Sequence, residues 1–272
     1  MKRWPLPVLG AACLVLGAGA CALRGGTPAR APGTEHSATS TPAPQHLALS
    51  TQHPALSTQR RAAAIRVLFI GNSLTSTNDL PGMLETLSRT ADGPRITCES
   101  VALPNYSLED DWNRGDAARA IARGGWHTVI LQQGPSALPE SQVLLREYTR
   151  KFDATIGRGG AQTALYMVWP FSNRRGDFDG VKASYQAAAR DVGGLFLPVG
   201  EAWRAVWRRD AKISLYGSDG FHPTPEATYL AALVIYQRLT GTAPTATPPS
   251  IAIAPDRAAV LRQAAADALA IQ

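Results

Sequence analysis

From Ala64 onward the chain alternates short apolar runs with longer stretches of helical character, and that rhythm restricts the fold more than any other feature. The runs are Ile65 to Ile70, Arg95 to Ala102, Thr128 to Gln132, Ala164 to Trp169 and Leu195 to Val199. Each is too short for a helix, and several are rich in β-branched residues, so each predicts a strand. Between and after them, helical patterns cover Leu80 to Ala91, Leu108 to Arg123, Pro139 to Ile156, Phe178 to Asp191, Glu201 to Arg209 and Thr224 to Leu239. Asp79 and Thr224 stand where N-caps belong, and Pro81 and Pro225 fall in first turns. Gly124-Gly125 ends the second of these helices. Strands alternating with helices imply a parallel sheet covered on both faces. The expected fold is α/β: a three-layer α/β/α domain with a five-stranded parallel, flavodoxin-like sheet. In such sheets ligands bind beyond the carboxyl ends of the strands, so the chemistry is expected in the loops that leave those ends.

The residues before Ala64 read differently. Lys2 and Arg3 precede an apolar run from Leu6 to Ala20, and Ala18-Gly19-Ala20 supplies small residues before a cut. This predicts an export signal over residues 1–21. Pro and Gly interrupt the run, and it is short against the ~20 apolar residues of a bilayer span, so an uncleaved anchor is the less favoured alternative. Cys21 follows directly, where a bacterial lipoprotein signal carries its lipidated cysteine. Membrane attachment through a lipidated Cys21 and simple secretion both stay open. Residues 22–63 contain no Phe, Trp, Tyr, Ile, Val or Met and one acid, Glu35. Ala48-Leu-Ser-Thr-Gln52 recurs as Ala55-Leu-Ser-Thr-Gln59. A segment this poor in apolar side chains cannot offset its ordering entropy, which predicts a disordered Ser/Thr/Pro/Ala-rich linker. Residues 64–242 then form the domain, and 243–272 a Pro-rich connection and a last helix packed on it.

Of Cys13, Cys21 and Cys98, only Cys98 falls in the domain, on the second predicted strand, where packing is expected rather than catalysis. Lys and Arg number 27 against 21 Asp and Glu, but the basic residues are scattered and form no stripe interleaved with aromatics. Nucleic acid is therefore not an expected partner.

Two elements carry chemistry. The first strand runs into Gly71-Asn72-Ser73-Leu74, which puts Ser73 in the crevice loop. On its own this is a common turn, with a helix-capping serine as the plain alternative. Near the other end stands Asp219-Gly220-Phe221-His222-Pro223. An Asp three residues before a His lets one loop present a carboxylate to the imidazole, fixing its tautomer and stabilising its protonated form. Pro223 starts a fresh helix behind it.

Together these two elements resemble the SGNH/GDSL hydrolases, serine esterases, lipases and carbohydrate deacetylases on a flavodoxin-like sheet. Gly71-Asn72-Ser73-Leu74 is similar to the family's first block, usually Gly-Asp-Ser-Leu, and Asp219-Gly220-Phe221-His222 to its last. The resemblance spans roughly residues 65 to 240. It implies Ser73 as nucleophile, His222 as base and Asp219 as its orienting acid, with no metal or organic cofactor. The middle blocks, which normally give a Gly N–H and an Asn side chain to the oxyanion hole, are altered. Asn105, in Leu103-Pro104-Asn105-Tyr106, stands where Gly is usual, and Asn tolerates a left-handed backbone better than most residues. In Gln132-Gln133-Gly134-Pro135-Ser136, Ser136 replaces the Asn. The expected donors are therefore the backbone N–H groups of Ser73 and Asn105, with Gln133 or Ser136 as the third.

Other residues rank below these. Ser136 lacks the Gly-x-Ser-x-Gly setting of a nucleophile elbow. His127 falls at the wrong end of its strand. Glu109, Asp110 and Asp111 point different ways around a helix start and make no metal site. Trp169, in Trp169-Pro170-Phe171 at the crevice rim, is a candidate wall of the substrate pocket, with plain packing as the alternative. The expected function is hydrolysis of an ester outside the cytoplasm, on a small-molecule or polysaccharide substrate, with a short acyl group on a carbohydrate favoured because no long apolar lid is evident. The rivals are an O-acyltransferase using the same residues and a non-catalytic carbohydrate-binding module on the same scaffold.

Overall fold

Five parallel strands, β1 (Ile65–Gly71), β2 (Ile96–Ala102), β3 (Thr128–Leu131), β4 (Gln162–Tyr166) and β5 (Leu195–Leu197), form one sheet in the order β2-β1-β3-β4-β5. The computed structural model describes residues 64–271, so the expected export signal, Cys21 and the linker lie outside the described residues. β1 sits in the interior of the sheet, and Val67, Leu68, Phe69 and Ile70 have no exposed surface, as a strand covered on both faces requires.

The helices separate into two groups. α2 (Leu80–Thr90), α7 (Val199–Arg209), α8 (Pro225–Thr240) and α9 (Pro255–Ala270) pack on one another, and α3 (Leu108–Arg114), α4 (Asp116–Ala122), α5 (Pro139–Arg158) and α6 (Phe178–Asp191) form the other layer. A single turn, α1 (Ser73–Ser76), directly follows β1. Asp79 caps α2 through Gly82 N–H at 3.1 Å, and Thr224 caps α8 through Ala227 N–H at 3.3 Å. α8 is buried on every side from Ala227 to Tyr236, because it lies between the sheet edge at β5 and α2, α7 and α9. Such a helix needs a cover, and α9 provides it with buried Leu261, Ala264, Ala265 and Ala268.

Most element boundaries fall within two residues of those the sequence predicts, and the instructive differences are in one helix and two strands. The helix expected over Leu108 to Arg123 breaks at Gly115, whose φ of 82° is left-handed and terminates α3 while α4 starts immediately after. β4 ends at Tyr166; Met167 N–H still donates to Leu197 O of β5 at 3.1 Å, and Met167 to Trp169 are fully buried. β5 ends at Leu197, and α7 begins at Val199.

The strand order places the switch point between β1 and β3: the chain leaves β1 toward β2 on one side and returns to β3 on the other. Gly71 is level with Ala102, and Ile70 with Leu131, so the loops after β1, β2 and β3 emerge side by side.

Candidate active site

Those loops are joined by a buried polar network centred on two residues. Asn72 caps α1 by accepting from Leu74 N–H at 3.0 Å, and its Nδ2 donates to Tyr106 O in the β2 loop at 2.9 Å. Gln132, fully buried directly after β3, accepts at Oε1 from Asn72 N–H (3.0 Å) and Thr75 Oγ1 (2.8 Å). Its Nε2 donates to Asn72 Oδ1 (2.9 Å) and Gln133 O (2.8 Å). A side chain at Gly71 would collide with Gln132 Oε1, so the glycine is what lets this amide reach the β1 loop. The loop holding Ser73 is thus fixed from both neighbouring strands.

Ser73 is the first residue of α1, capped by Asn72 rather than acting as the cap itself. Its N–H is one of the helix-start donors that have no intrahelical acceptor. His222 Nε2 lies 2.9 Å from Ser73 Oγ, and His222 Nδ1 lies 2.5 Å from Asp219 Oδ2. Residues 149 positions apart in the chain are thereby placed in one line of hydrogen bonds. The other carboxylate oxygen of Asp219 accepts from Phe221 N–H and His222 N–H, each at 2.9 Å. The hydrogen bond from His222, followed by that from Phe221 N–H, holds the Asp219 carboxyl down to about 2. Asp219 is therefore ionised at neutral pH, which fits it to orient the imidazole and offset a positive charge on it.

The loop carrying these residues is anchored at both ends. Gly217 N–H donates to His222 O at 2.7 Å, and Tyr216 pairs with Pro223 in an antiparallel bridge. Asn78 Nδ2 donates to Pro223 O at 2.9 Å. Trp169 holds the loop from beneath, which corrects its candidate role as a pocket wall. It is fully buried, stacks on Trp203 with ring centroids 3.8 Å apart, and donates from Nε1 to Phe221 O at 2.9 Å. Its indole has one polar handle, and burial obliges that handle to find a partner in the backbone above it.

A cavity of about 430 Å³ opens at Ser73. Asn72, Asn105, Tyr106, Gln133 and Ser136 line one part of it, and Ala137, Leu138, Leu144, Pro170, Phe171 and Phe221 supply apolar surface. Asn105 has φ of 63°, in the left-handed region, and its N–H donates to no described residue. Gln133 and Ser136 line the cavity, but their side-chain protons are already engaged. Gln133 Nε2 donates to Ser136 Oγ at 2.8 Å and to Ser141 O at 3.2 Å, while Ser136 Oγ donates to Gly134 O at 2.9 Å. The expected third oxyanion donor is thus not available from either side chain in this arrangement. Both brace the β3 loop, together with Tyr185, whose hydroxyl lies 2.6 Å from Gln133 O.

The remaining candidates are distributed elsewhere. His127 Nδ1 accepts from Arg66 N–H at 3.0 Å at the start of β3, away from the cavity. Cys98 is a free, half-buried thiol on β2, and burial pushes its pKa up, so it is not a nucleophile at neutral pH. Glu109 accepts from Tyr148 Oη at 2.7 Å, and Asp110 closes a capping box with Ser107. Gln132 is the residue of the site that the sequence analysis did not single out. Its signal was a polar side chain directly after an apolar strand, beside the Gln133 that attracted attention.

No protein-family model and no curated protein matches the chain. Solved structures do. A candidate SGNH hydrolase from Slackia heliotrinireducens aligns with a TM-score of 0.55 and 26% identity, over 65% of this chain and 99% of that one. A DUF4886 family protein from Bacteroides uniformis aligns with a TM-score of 0.64 and 20% identity, over 76% of this chain and 95% of that one. A lipase/acylhydrolase from Enterococcus faecalis aligns with a TM-score of 0.52 and 14% identity, over 67% of this chain and 99% of that one. With the 2-1-3-4-5 strand order and the crevice at its switch point, these likenesses show that the chain has the SGNH/GDSL-type three-layer α/β/α fold.

Proposed function

We propose that the chain is a serine ester hydrolase in which Ser73, His222 and Asp219 act as a catalytic triad. The observation that carries this reading is the unbroken hydrogen-bonded line from Asp219 through His222 to Ser73, at 2.5 and 2.9 Å, opening on a cavity. Ser73 Oγ attacks the ester carbonyl carbon while His222 Nε2 takes the hydroxyl proton. The carbonyl oxygen becomes an oxyanion that accepts from Ser73 N–H and Asn105 N–H. Collapse breaks the carbon–oxygen bond to the alcohol, which leaves with the proton from His222. Water then attacks the acyl-enzyme, gives its proton to His222, and Ser73 recovers a proton as the acid departs. The description of the Slackia protein as an SGNH hydrolase supports the same chemistry.

The substrate in this reading is a short acyl ester of a carbohydrate, met outside the cytoplasm. The Lys2-Arg3 start, the Leu6 to Ala20 run and Cys21 support export, with lipid attachment at Cys21. Cys21→Ser should then move the protein from the membrane to the soluble fraction, and a wild-type protein already soluble outside the cell, with its mature end beyond Cys21, would leave plain secretion. The activity is tested by ester hydrolysis with the full chain and p-nitrophenyl acetate. Ser73→Ala should lower turnover by roughly 10⁴-fold with the fold intact. Undiminished turnover in Ser73→Ala would refute the assignment.

A further inference from the structure

The position of His222 fixes where the alcohol half of an ester must lie, and the cavity wall there has a definite chemistry. In the proposed reaction the proton on His222 Nε2 passes to the leaving oxygen, so the alcohol departs along the imidazole side of Ser73. The residue next to His222 is Phe221, whose ring meets the imidazole with centroids 5.4 Å apart. Phe221 in turn stacks on Phe171, with centroids 3.9 Å apart and planes 13° from parallel. Both rings line the cavity, and Phe171 is 44% exposed. Few large apolar side chains of the described residues reach such exposure, and this one is held in place by its stack rather than by burial.

Two charged groups line the same cavity. Arg174 and Asp177 form an ion pair at 2.6 Å, and both are partly open to solvent. They belong to the short 3₁₀ segment Ser172–Asp177 that directly follows Phe171. That segment is tied to the triad loop, because Ser172 N–H donates to Gly220 O at 2.9 Å. An aromatic face flanked by a fixed donor and a fixed acceptor suits a ring that is apolar on its faces and hydroxylated at its edge. A pyranose has that shape: axial C–H groups cover the aromatic ring, and equatorial hydroxyls pair with the guanidinium and carboxylate. A plain alkyl alcohol would use the ring and leave the ion pair idle.

Resting on the esterase reading above, we infer that Phe171, stacked on Phe221, and the Arg174–Asp177 pair form the subsite for the leaving alcohol, and that this alcohol is a pyranose ring. The acyl half is left the apolar wall of Ala137, Leu138 and Leu144, on the loop after β3 and the start of α5.

The test compares three acetyl esters on the full chain: a methyl pyranoside monoacetate, cyclohexyl acetate and ethyl acetate. Phe171→Ala should lower kcat/KM for the pyranoside relative to ethyl acetate on the order of tenfold, mainly through KM. Phe171→Trp should retain the preference. Arg174→Ala should lower the pyranoside ester relative to the cyclohexyl ester. Equal falls for cyclohexyl and pyranoside esters in both variants, or no change of ratio in either, would overturn the sugar assignment. A binding arm separates this from the chemistry: methyl pyranoside titrated into Ser73→Ala should bind, and Ser73→Ala/Phe171→Ala should not. Platform-dependent binding by a chain that hydrolyses no ester would remove the esterase reading and keep the sugar site. Ester hydrolysis with pyranoside binding indifferent to Phe171 would do the reverse.

Discussion

At the scale of single residues, the site divides into the groups proposed to do chemistry and the groups that hold them, and the two differ in how far sequence reveals them. Ser73, Asp219 and His222 stand in short motifs whose spacing is itself chemical: three positions separate an Asp from the His it orients. Gln132 has no such signature, since its partner Asn72 is 60 residues away and only the β1–β3 pairing brings them together. Gln132→Leu should leave Asn72 N–H and the Thr75 hydroxyl without their shared acceptor in the interior. It should cost about 2–4 kcal/mol in urea denaturation, by the sum of lost buried partners, and lower kcat more than KM. Gln132→Glu, which keeps the acceptors and loses the Nε2 donors, should fall between the two. Asp111 sits in a helix start as the sequence predicts, but its burial is not legible there, because a helix-start acid is normally solvated. It is buried, neither carboxyl oxygen has a partner among the described residues, and burial raises its pKa from 3.8 to about 8. Between those values the folded chain keeps a proton that the unfolded chain has lost. Stability should therefore decline as pH rises from about 4 to about 8 and level off above. Asp111→Asn should flatten that decline, which urea midpoints at pH 5 and 8.5 would show; an unchanged slope in the variant would assign it to other groups.

At the scale of elements, the alternation of strands and helices was legible because apolar periodicity is a local property. What it did not show is where an element stops once tertiary contacts take over. Past Tyr166 the apolarity of a strand continues to Trp169, but there the side chain packs under the loop that carries Asp219 and His222. Trp169 looked like a rim residue for that reason. Its indole is instead the support for Phe221 and, one residue on, His222. Trp169→Phe should keep most of the stacking on Trp203 and lose the hydrogen bond, lowering kcat several-fold with a small change in stability. Trp169→Ala should also create a cavity and cost about 3–5 kcal/mol. If both variants lose stability but neither changes kcat at a temperature where they are folded, Trp169 serves packing alone.

At the scale of the whole molecule, the sheet order creates the crevice and the two helical layers protect the sheet. α8 is apolar on all sides, so the domain as read to residue 242 would present an uncovered face, and α9 supplies the missing layer through α7 and α8. A chain ending before Pro255 should lose solubility or bind a hydrophobic dye when expressed, whereas a chain that stays monomeric and keeps its thermal midpoint would show α9 to be dispensable. The proposed activity depends above all on Ser73 being the nucleophile and His222 its base. Its most direct test is mass-spectrometric mapping after incubating the full chain with a serine-directed phosphonate. A single adduct is expected on Ser73, greatly slowed in His222→Ala and absent in Ser73→Ala. An adduct on Ser136 with Ser73 unmodified, or equal labelling of Ser73 in wild type and His222→Ala, would contradict it.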